Sequence, residues 1–417
     1  MWGIMGKRKQ VMNMIIGIIG GGASGMAAAW AAAQNPDVQV ILFERQARLG
    51  RKLQATGNGR CNLTNLHAGE QGYHGDHPEF AAPALEAMSP QNTLDWFQSL
   101  GLFTVAEPSG RVYPYSDQAN SVVDILRFAL EKPNIDVRYG AEIRKLRREG
   151  NGFLLDGEYC DKVIVACGGL AGTKLGGSMS GYQLLRSMGH KMTRLRPALV
   201  QLKCSWGGVA SLKGVRANCH AVIFYNGQLH AQSRGELQFT EYGLSGPVIF
   251  EISRDACQGS GEWLCRLDLL PHVTEVELLQ ALVCRRQTHL SAEELLTGIL
   301  HNRLGRVLVK SAGISANEAI HTLTDEQLQA VAGTVKRFDI TLTEPLGMDS
   351  AQVTAGGIST DEFCPDTMES KLVPGLYACG EVLDIDGDCG GYNLQWAWSS
   401  GYTAGTYAGK DTYDQNE

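Results

Sequence analysis

Ile15-Ile-Gly-Ile-Ile-Gly20-Gly-Gly22-Ala-Ser-Gly25 runs directly into an alanine-rich stretch ending at Ala33, and past Asn35-Pro36 into Val38-Gln-Val-Ile-Leu-Phe-Glu44. This order predicts strand Ile15–Ile19, helix Ala23–Ala33 and strand Val38–Phe43: one βαβ unit, and hence a parallel sheet. The pattern Gly20-x-Gly22-x-x-Gly25 falls at the strand-to-helix turn. There Gly20 makes the turn, Gly22 lets backbone N–H groups approach a pyrophosphate, and Gly25 lets helix and strand pack closely. Ala23 and Ser24 form the first helical turn, whose N-terminus carries roughly half a positive charge. Glu44 stands where a carboxylate accepts hydrogen bonds from the two hydroxyls of an adenosine ribose, with Arg45 beside it. Dinucleotide binding follows.

Composition sets the frame around this unit. The 417 residues suggest two or three domains. Gly is 50 of 417, about 12% against a usual 7%, with only 13 Pro, which excludes collagen-like, linker and disordered chains. The net charge of −7 is spread without long blocks of one sign, which argues against a nucleic-acid partner. Eleven cysteines include no C-x-x-C pair, so they read as reduced core thiols of a cytoplasmic protein, with no zinc site or disulfide framework. Met14–Ala33 is twenty residues without a charge, but glycines break its middle, so it reads as strand, turn and helix with no membrane partner. Met1–Asn13 reads as a disordered extension, with Met12 or Met14 as alternative starts.

Further along, helices are expected at Glu79–Met88, at Gln91–Leu100 with Ser89 as N-cap and Pro90 at N1, and at Ser121–Glu131 after Asn120. Strands are expected at Asp136–Tyr139, Glu142–Arg147 and Lys162–Ala166. From about Leu195 short alternating runs predict an antiparallel β region, with Asn226-Gly227 as a hairpin turn. From Thr274 amphipathic stretches predict helices at Thr274–Arg286, Ser291–Leu300 and Thr324–Ala332, the first two opened by capping boxes. A Gly-rich α/β texture then returns and ends in a helix over Gly391–Ala408. The expected division is a nucleotide-binding domain at 14–194 and 341–417, interrupted by a β domain at 195–273 and a helical cap at 274–340.

Three segments choose a flavin dinucleotide over a nicotinamide one. Lys162-Val-Ile-Val-Ala-Cys-Gly168 and Leu376-Tyr-Ala-Cys-Gly380-Glu381 both end apolar strands in a Cys-Gly step. Gly390-Gly391-Tyr-Asn393-Leu394-Gln395 then opens a second helix, whose N–H groups suit the N1/C2 carbonyl edge of a flavin, where negative charge gathers on reduction. The third segment, Arg48 to Asn65, holds Arg51, Lys52 and the Gly57-Asn58-Gly59-Arg60-Cys61-Asn62 loop: cations for a pyrophosphate and amides for a ring system. Cys61 reads as a packing thiol near the cofactor, because no resolving cysteine is close in sequence.

Together with Gly235-Glu-Leu-Gln-Phe-Thr-Glu-Tyr-Gly-Leu-Ser-Gly-Pro247 and Gly380-Glu-Val-Leu-Asp-Ile-Asp-Gly387, these motifs resemble a family of bacterial NAD(P)/FAD-dependent oxidoreductases. That family includes aminoacetone-oxidase-like and 3-dehydro-bile-acid Δ4,6-reductase-like members. The resemblance runs from about Met14 to the C-terminal helix. It implies a glutathione-reductase-like, Rossmann-type FAD domain (α/β) interrupted by a β-barrel-like domain and a helical lid. It also implies FAD contacts at Ala23, Glu44, Arg51, Lys52, Gly57–Asn62, Glu381, Asn393 and Leu394. The family's variable position before Tyr242 is commonly His and is Glu241 here, so a proton-transfer role does not carry over to it.

The resulting expectation is a cytoplasmic FAD enzyme passing a hydride to or from a small organic substrate. NAD(P)H is a transient reductant, because the chain has no second strand-G-x-G-x-x-G-helix unit. Reduction of an enone is preferred over amine oxidation. A flavin-dependent RNA-modifying protein and a non-catalytic flavin sensor are the rival classes. No catalytic acid or base and no metal ligand stands out, and oligomeric state is left open.

Overall fold

The computed structural model describes residues 14–69, 71–254 and 256–410; the expected extension Met1–Asn13 lies outside them. The described residues form two compact units, one from 14–196 and 353–410 and the other from 197–352.

The first unit is built on a five-stranded parallel sheet. Its strands are β1 (Met14–Ile19), β2 (Val38–Glu44), β3 (Ile135–Tyr139), β4 (Lys162–Val165) and β5 (Leu376–Ala378), in the order β5-β4-β1-β2-β3. Ile16 pairs with Val40 on one side and Lys162 on the other, so the glycine-turn strand is central. Ile16 and Ile18 have no exposed surface, as expected of a parallel strand covered on both faces. One cover is a three-stranded antiparallel meander. A Cβ at Gly17 would come within 2.7 Å of Cys160 Sγ on that meander, so β1 is glycine there for closeness. The meander begins at Leu146; the strand expected at Glu142–Arg147 is irregular up to Lys145, where Arg144 and Lys145 donate their N–H groups to Asp156. The expected helix at Ser121–Glu131 is displaced to Ala119–Ala129, with Gln118 as N-cap, so Asn120 lies inside it. Ser89 caps Pro90–Ser99 through Asn92 N–H, as its sequence indicates.

Two helices of this unit, α1 (Ala23–Ala32) and α2 (Tyr392–Ala408), touch backbone to backbone. A Cβ at Gly401 would overlap the Ser24 carbonyl oxygen, and one at Gly405 the Ala28 carbonyl oxygen. The partners advance in the same direction and by the same four residues, so the helices run parallel.

The second unit is a closed antiparallel barrel carrying helices. Around the barrel the strands are Leu202–Cys204, Gly243–Ser245, Gln228–Phe239, Arg216–Tyr225, Trp263–Asp268 and Phe338–Pro345, the last returning to the first. Asn226 and Gly227 both take positive φ, at 49° and 79°, as a two-residue hairpin turn requires. Helices Glu275–Arg285, Asn302–Ser311 and Asp325–Lys336 bury Leu278, Leu304, Leu308, Leu328 and Val331 in the barrel's hydrophobic cluster. The helix expected at Ser291–Leu300 does not form. Its capping box closes, but only Ala292–Glu294 turns, and Gly298 at φ +80° breaks the path before a new helix starts at Asn302. No helix among the described residues is long and apolar enough to cross a membrane.

One buried polar contact gives the first unit a pH dependence. The His190 side chain has no exposed surface; Nδ1 lies 3.0 Å from Glu362, Nε2 lies 3.0 Å from Ser370 Oγ, and the ring stacks on Phe363. Burial pushes its pKa below the usual 6.5, against the pull of Glu362. The unfolded chain therefore binds the proton more readily, and stability is lost as pH falls through the usual histidine range. Urea midpoints at pH 7.5 and 5.5 are expected to differ less in His190→Gln than in the parent; equal differences would refute the assignment.

Candidate functional site

The head of α1 is shaped by its glycines. Gly20 sits at φ +108°, and a Cβ there would approach Ala166 O to 2.5 Å, while a Cβ at Gly25 would overlap Gly20 O. Gly22 is different: a Cβ there would meet nothing within 4 Å, so it faces open space. It is the N-cap of α1, with no side-chain cap and no acidic residue in the first turn. Helices Glu275–Arg285 and Asp325–Lys336 instead carry complete boxes at Thr274/Glu277 and Thr324/Gln327, while Ala119–Ala129 also lacks a side-chain cap. The α1 N-terminus thus has no side-chain acceptor and opens beside the free space at Gly22.

Glu44, 8% exposed, closes this loop. Its Oε2 accepts from Gly21 N–H at 2.8 Å and its Oε1 from Gln46 N–H at 2.7 Å. A carboxylate has about four lone-pair positions, so two bonds leave room for two hydroxyl donors. Gly21, which carries no role in the sequence pattern, is needed as well: a Cβ there would run into Leu49 and come within 3.1 Å of Glu44 Oε2.

The head of α2 is the second focus. Gly390 and Gly391 sit at φ +112° and +109°, and Gly391 packs on the backbone of Thr64. Like α1, α2 has no side-chain cap and no acid in its first turn. Ser24 lies level with Gly401, so α2 starts eight residues earlier along the shared direction than α1, and its N-terminus reaches about 12 Å beyond that of α1 at 1.5 Å per residue. Two uncapped N-termini therefore point the same way, one beyond the other. Asn393 is spent on the entry loop: its Oδ1 accepts from Gly387 N–H at 2.8 Å and its Nδ2 donates to Gly387 O at 2.7 Å. Leu394 packs on the core. Gly168, at φ +69°, ends β4 in open space, and Gly380, at φ +76°, ends β5 against Ser24 Oγ.

Four of the five cations in the Arg45–Asn62 stretch hold protein partners, and the fifth, Arg48, is exposed. Arg45 donates to Gly176 O at 2.5 Å, Arg51 to Gln46 at 2.9 Å, and Lys52 to Glu381 Oε2 at 2.6 Å. Glu381 Oε1 accepts Thr354 N–H at 2.9 Å. Arg60 bonds Asp117, lies 3.2 Å from Glu107 and stacks 3.9 Å over Tyr113. The loop itself is coiled into left-handed conformations at Gly57, Asn58, Gly59 and Cys61. A positive φ is costly for Asn58 and more so for Cys61. Cys61 is fully buried, and burial pushes its thiol up to about 12, as it does for Cys167 and Cys379. None of the three is a thiolate at neutral pH, which fits packing roles. Asn62 Oδ1 is buried with no partner among the described residues.

In the barrel unit, Glu241 is exposed and 2.6 Å from Lys213, which holds its carboxyl below the usual range. Tyr242 OH donates to Gln201, and His220 lies 3.1 Å from Gln232. Two contributors around α2 have roles that sequence reasoning does not assign. Gln395 is fully buried and joins Thr64, Met88 O, Thr93 and Ser399, anchoring α2's first turn. Arg111 lies against Gly390, at a sequence distance that no local motif spans. No group of three or more His, Cys, Asp or Glu among the described residues is arranged to hold a metal ion.

A family model described as HI0933-like protein Rossmann domain matches residues 14–407. The chain is 42% identical to a 3-dehydro-bile acid delta(4,6)-reductase of Clostridium scindens, over 94% of this chain and 98% of that protein. It is also 33% identical to a ribosomal RNA dihydrouridine synthase of Escherichia coli, over 92% and 95%, and 30% identical to that of Haemophilus influenzae, over 92% and 96%.

Proposed function

The chain belongs to the HI0933-like family of Rossmann-domain FAD oxidoreductases, and from that membership we propose an NAD(P)H-linked reductase of a carbon–carbon double bond conjugated to a carbonyl in a small organic molecule. The full-length 42% identity to a bile-acid reductase carries this reading. One relative is named for reducing ring double bonds of a 3-dehydro bile acid, the others for making dihydrouridine. Addition of a hydride and a proton across a carbon–carbon double bond conjugated to a carbonyl is chemistry common to both readings.

The first unit fits FAD on its own features. Gly22 leaves open the space that a side chain would occupy, Glu44 keeps lone pairs for ribose hydroxyls, and α1 offers uncapped N–H groups to a pyrophosphate. A ribityl chain and part of a tricyclic ring suit the offset to the α2 head, and Asn62 Oδ1 supplies a buried acceptor still lacking a donor. FAD supplies a two-electron hydride carrier when bound. The chain's part is to bind and orient it: Lys52 and Thr354 fix Glu381 beside the β5 turn, and Asn393 and Gln395 fix the approach to α2. The α2 N–H groups stabilise negative charge at whatever carbonyl faces them.

The test is anaerobic mixing of the purified yellow protein with NADH and NADPH, followed by a 3-oxo-4-ene steroid, by ribosomal RNA, or by air. Flavin bleaching by one nicotinamide and recovery with the enone is the expected result. Recovery only with oxygen would favour the amine-oxidase-like reading. Dihydrouridine formation without enone turnover would favour the RNA reading, and a colourless protein that takes up no FAD would end all three.

A further inference from the structure

Arg111 opens the strand Arg111–Pro114, paired across from Asn65. Its neighbour Arg60 has two carboxylates and the Tyr113 ring, yet Arg111, half-buried as a residue, has no hydrogen bond or ion pair among the described residues. A charge taken partly out of water without a partner is costly, and such groups are kept where an acceptor arrives from outside. The guanidinium is also aimed. A Cβ built on Gly390 would lie 2.8 Å from Arg111 Nε and 3.5 Å from its Cζ and one Nη, so the fork lies alongside the backbone that leads into α2. Asn65, opposite Arg111, donates from Nδ2 to Gly390 O at 2.9 Å and locks that backbone against the same strand pair. Gly110 before it, at φ +82°, packs tightly on Asn65 and His67, which fixes where the arginine begins.

We propose that Arg111 is the electrostatic partner of the flavin's N1/C2 carbonyl edge, adding a full positive charge to the partial charge of the α2 N-terminus and so stabilising the reduced, anionic flavin. This rests on the FAD reading above. The helix end contributes only about half a charge and hydrogen-bond donors. A guanidinium keeps its proton at any working pH and presents several donors in one plane, which suits a carbonyl and an adjacent ring nitrogen. Arg111 thereby raises the potential of the cofactor and favours hydride uptake from a nicotinamide. It is a positioning and tuning residue: the hydride does not pass through it.

The experiment compares FAD-loaded parent, Arg111→Gln and Arg111→Lys by dye-equilibrated midpoint potential and by sulfite titration, since sulfite addition to flavin is favoured by positive charge at the same edge. Arg111→Gln is expected to weaken sulfite binding at least tenfold and to lower the two-electron potential by a matching tenfold in the equilibrium constant, about 30 mV. Arg111→Lys should fall between, because it keeps the charge and loses the fork. If Arg111→Gln does not retain FAD, the Lys variant decides alone. FAD bound with parental potential and parental sulfite affinity overturns the proposal and leaves the FAD reading intact. An unchanged potential with a higher KM for an anionic substrate overturns it too, by moving the arginine to substrate. A parent protein that binds no FAD fails the underlying reading instead.

Discussion

Gly401→Ala is expected to lower the melting temperature and to strip the protein of FAD, although Gly→Ala inside an exposed helix ordinarily stabilises by up to about 1 kcal/mol. The sign reverses because the new methyl group would overlap the Ser24 carbonyl oxygen on α1, a backbone atom that cannot rotate away. To relieve the contact α1 and α2 must separate by on the order of 1 Å. Separation loosens the matching contacts of Gly405 on Ala28 and Gly409 on Ala32 and shifts both helix heads at once. Overpacking of this kind costs about 1–3 kcal/mol, and Gly401→Val should reach or exceed the top of that range. For a protein of this size that is a fall of several degrees, at roughly 2–4 °C per kcal/mol. Differential scanning fluorimetry with and without added FAD checks it. Parental melting and parental yellow colour in Gly401→Val would show that the two helices are not in backbone contact.

Why the sheet and barrel were legible and parts of the site were not follows from how each is encoded. β1, α1 and β2 are local: their apolar runs, glycines and acid lie within thirty-one residues, Met14 to Glu44. The hairpin at Asn226-Gly227 and the cap at Thr274 are likewise decided by a few neighbouring residues. The failed helix at Ser291–Leu300 shows the limit of such reasoning, since a closed capping box does not guarantee propagation past Gly298. Parallel contact of α1 with α2 depends on Gly401 and Gly405 meeting carbonyls more than three hundred residues earlier in the chain, which no periodicity announces. The same holds for Arg111 against Gly390, and for the cations of the Arg45–Asn62 stretch. Their sequence suggests a basic loop, but Glu381, Asp117 and Glu107 arrive from distant segments and pair with Lys52 and Arg60.

Glu44→Ala is expected to weaken FAD binding at least tenfold and to destabilise the FAD-free protein as well, two losses with separate causes. The first is removal of the acceptor for ribose hydroxyls; a hydrogen bond to a charged group is worth roughly 1.5–3 kcal/mol, and 1.4 kcal/mol is a factor of ten in affinity. The second arises because the same carboxylate already receives Gly21 N–H and Gln46 N–H, and truncation leaves the donor of the glycine turn without its partner at a site 8% exposed. Glu44→Gln separates the two. Its amide keeps one oxygen for one backbone donor and presents an NH2 group to the other, so part of the turn is held while the capacity to accept two hydroxyls is lost. Its FAD affinity should therefore fall nearly as far as that of the alanine variant, while its FAD-free melting temperature falls less. FAD titration of apoprotein followed by flavin fluorescence, with melting measured on the same apoprotein, reads both quantities. Parental affinity in both variants would mean that Glu44 serves the turn alone, and that the adenosine end of the cofactor is held elsewhere.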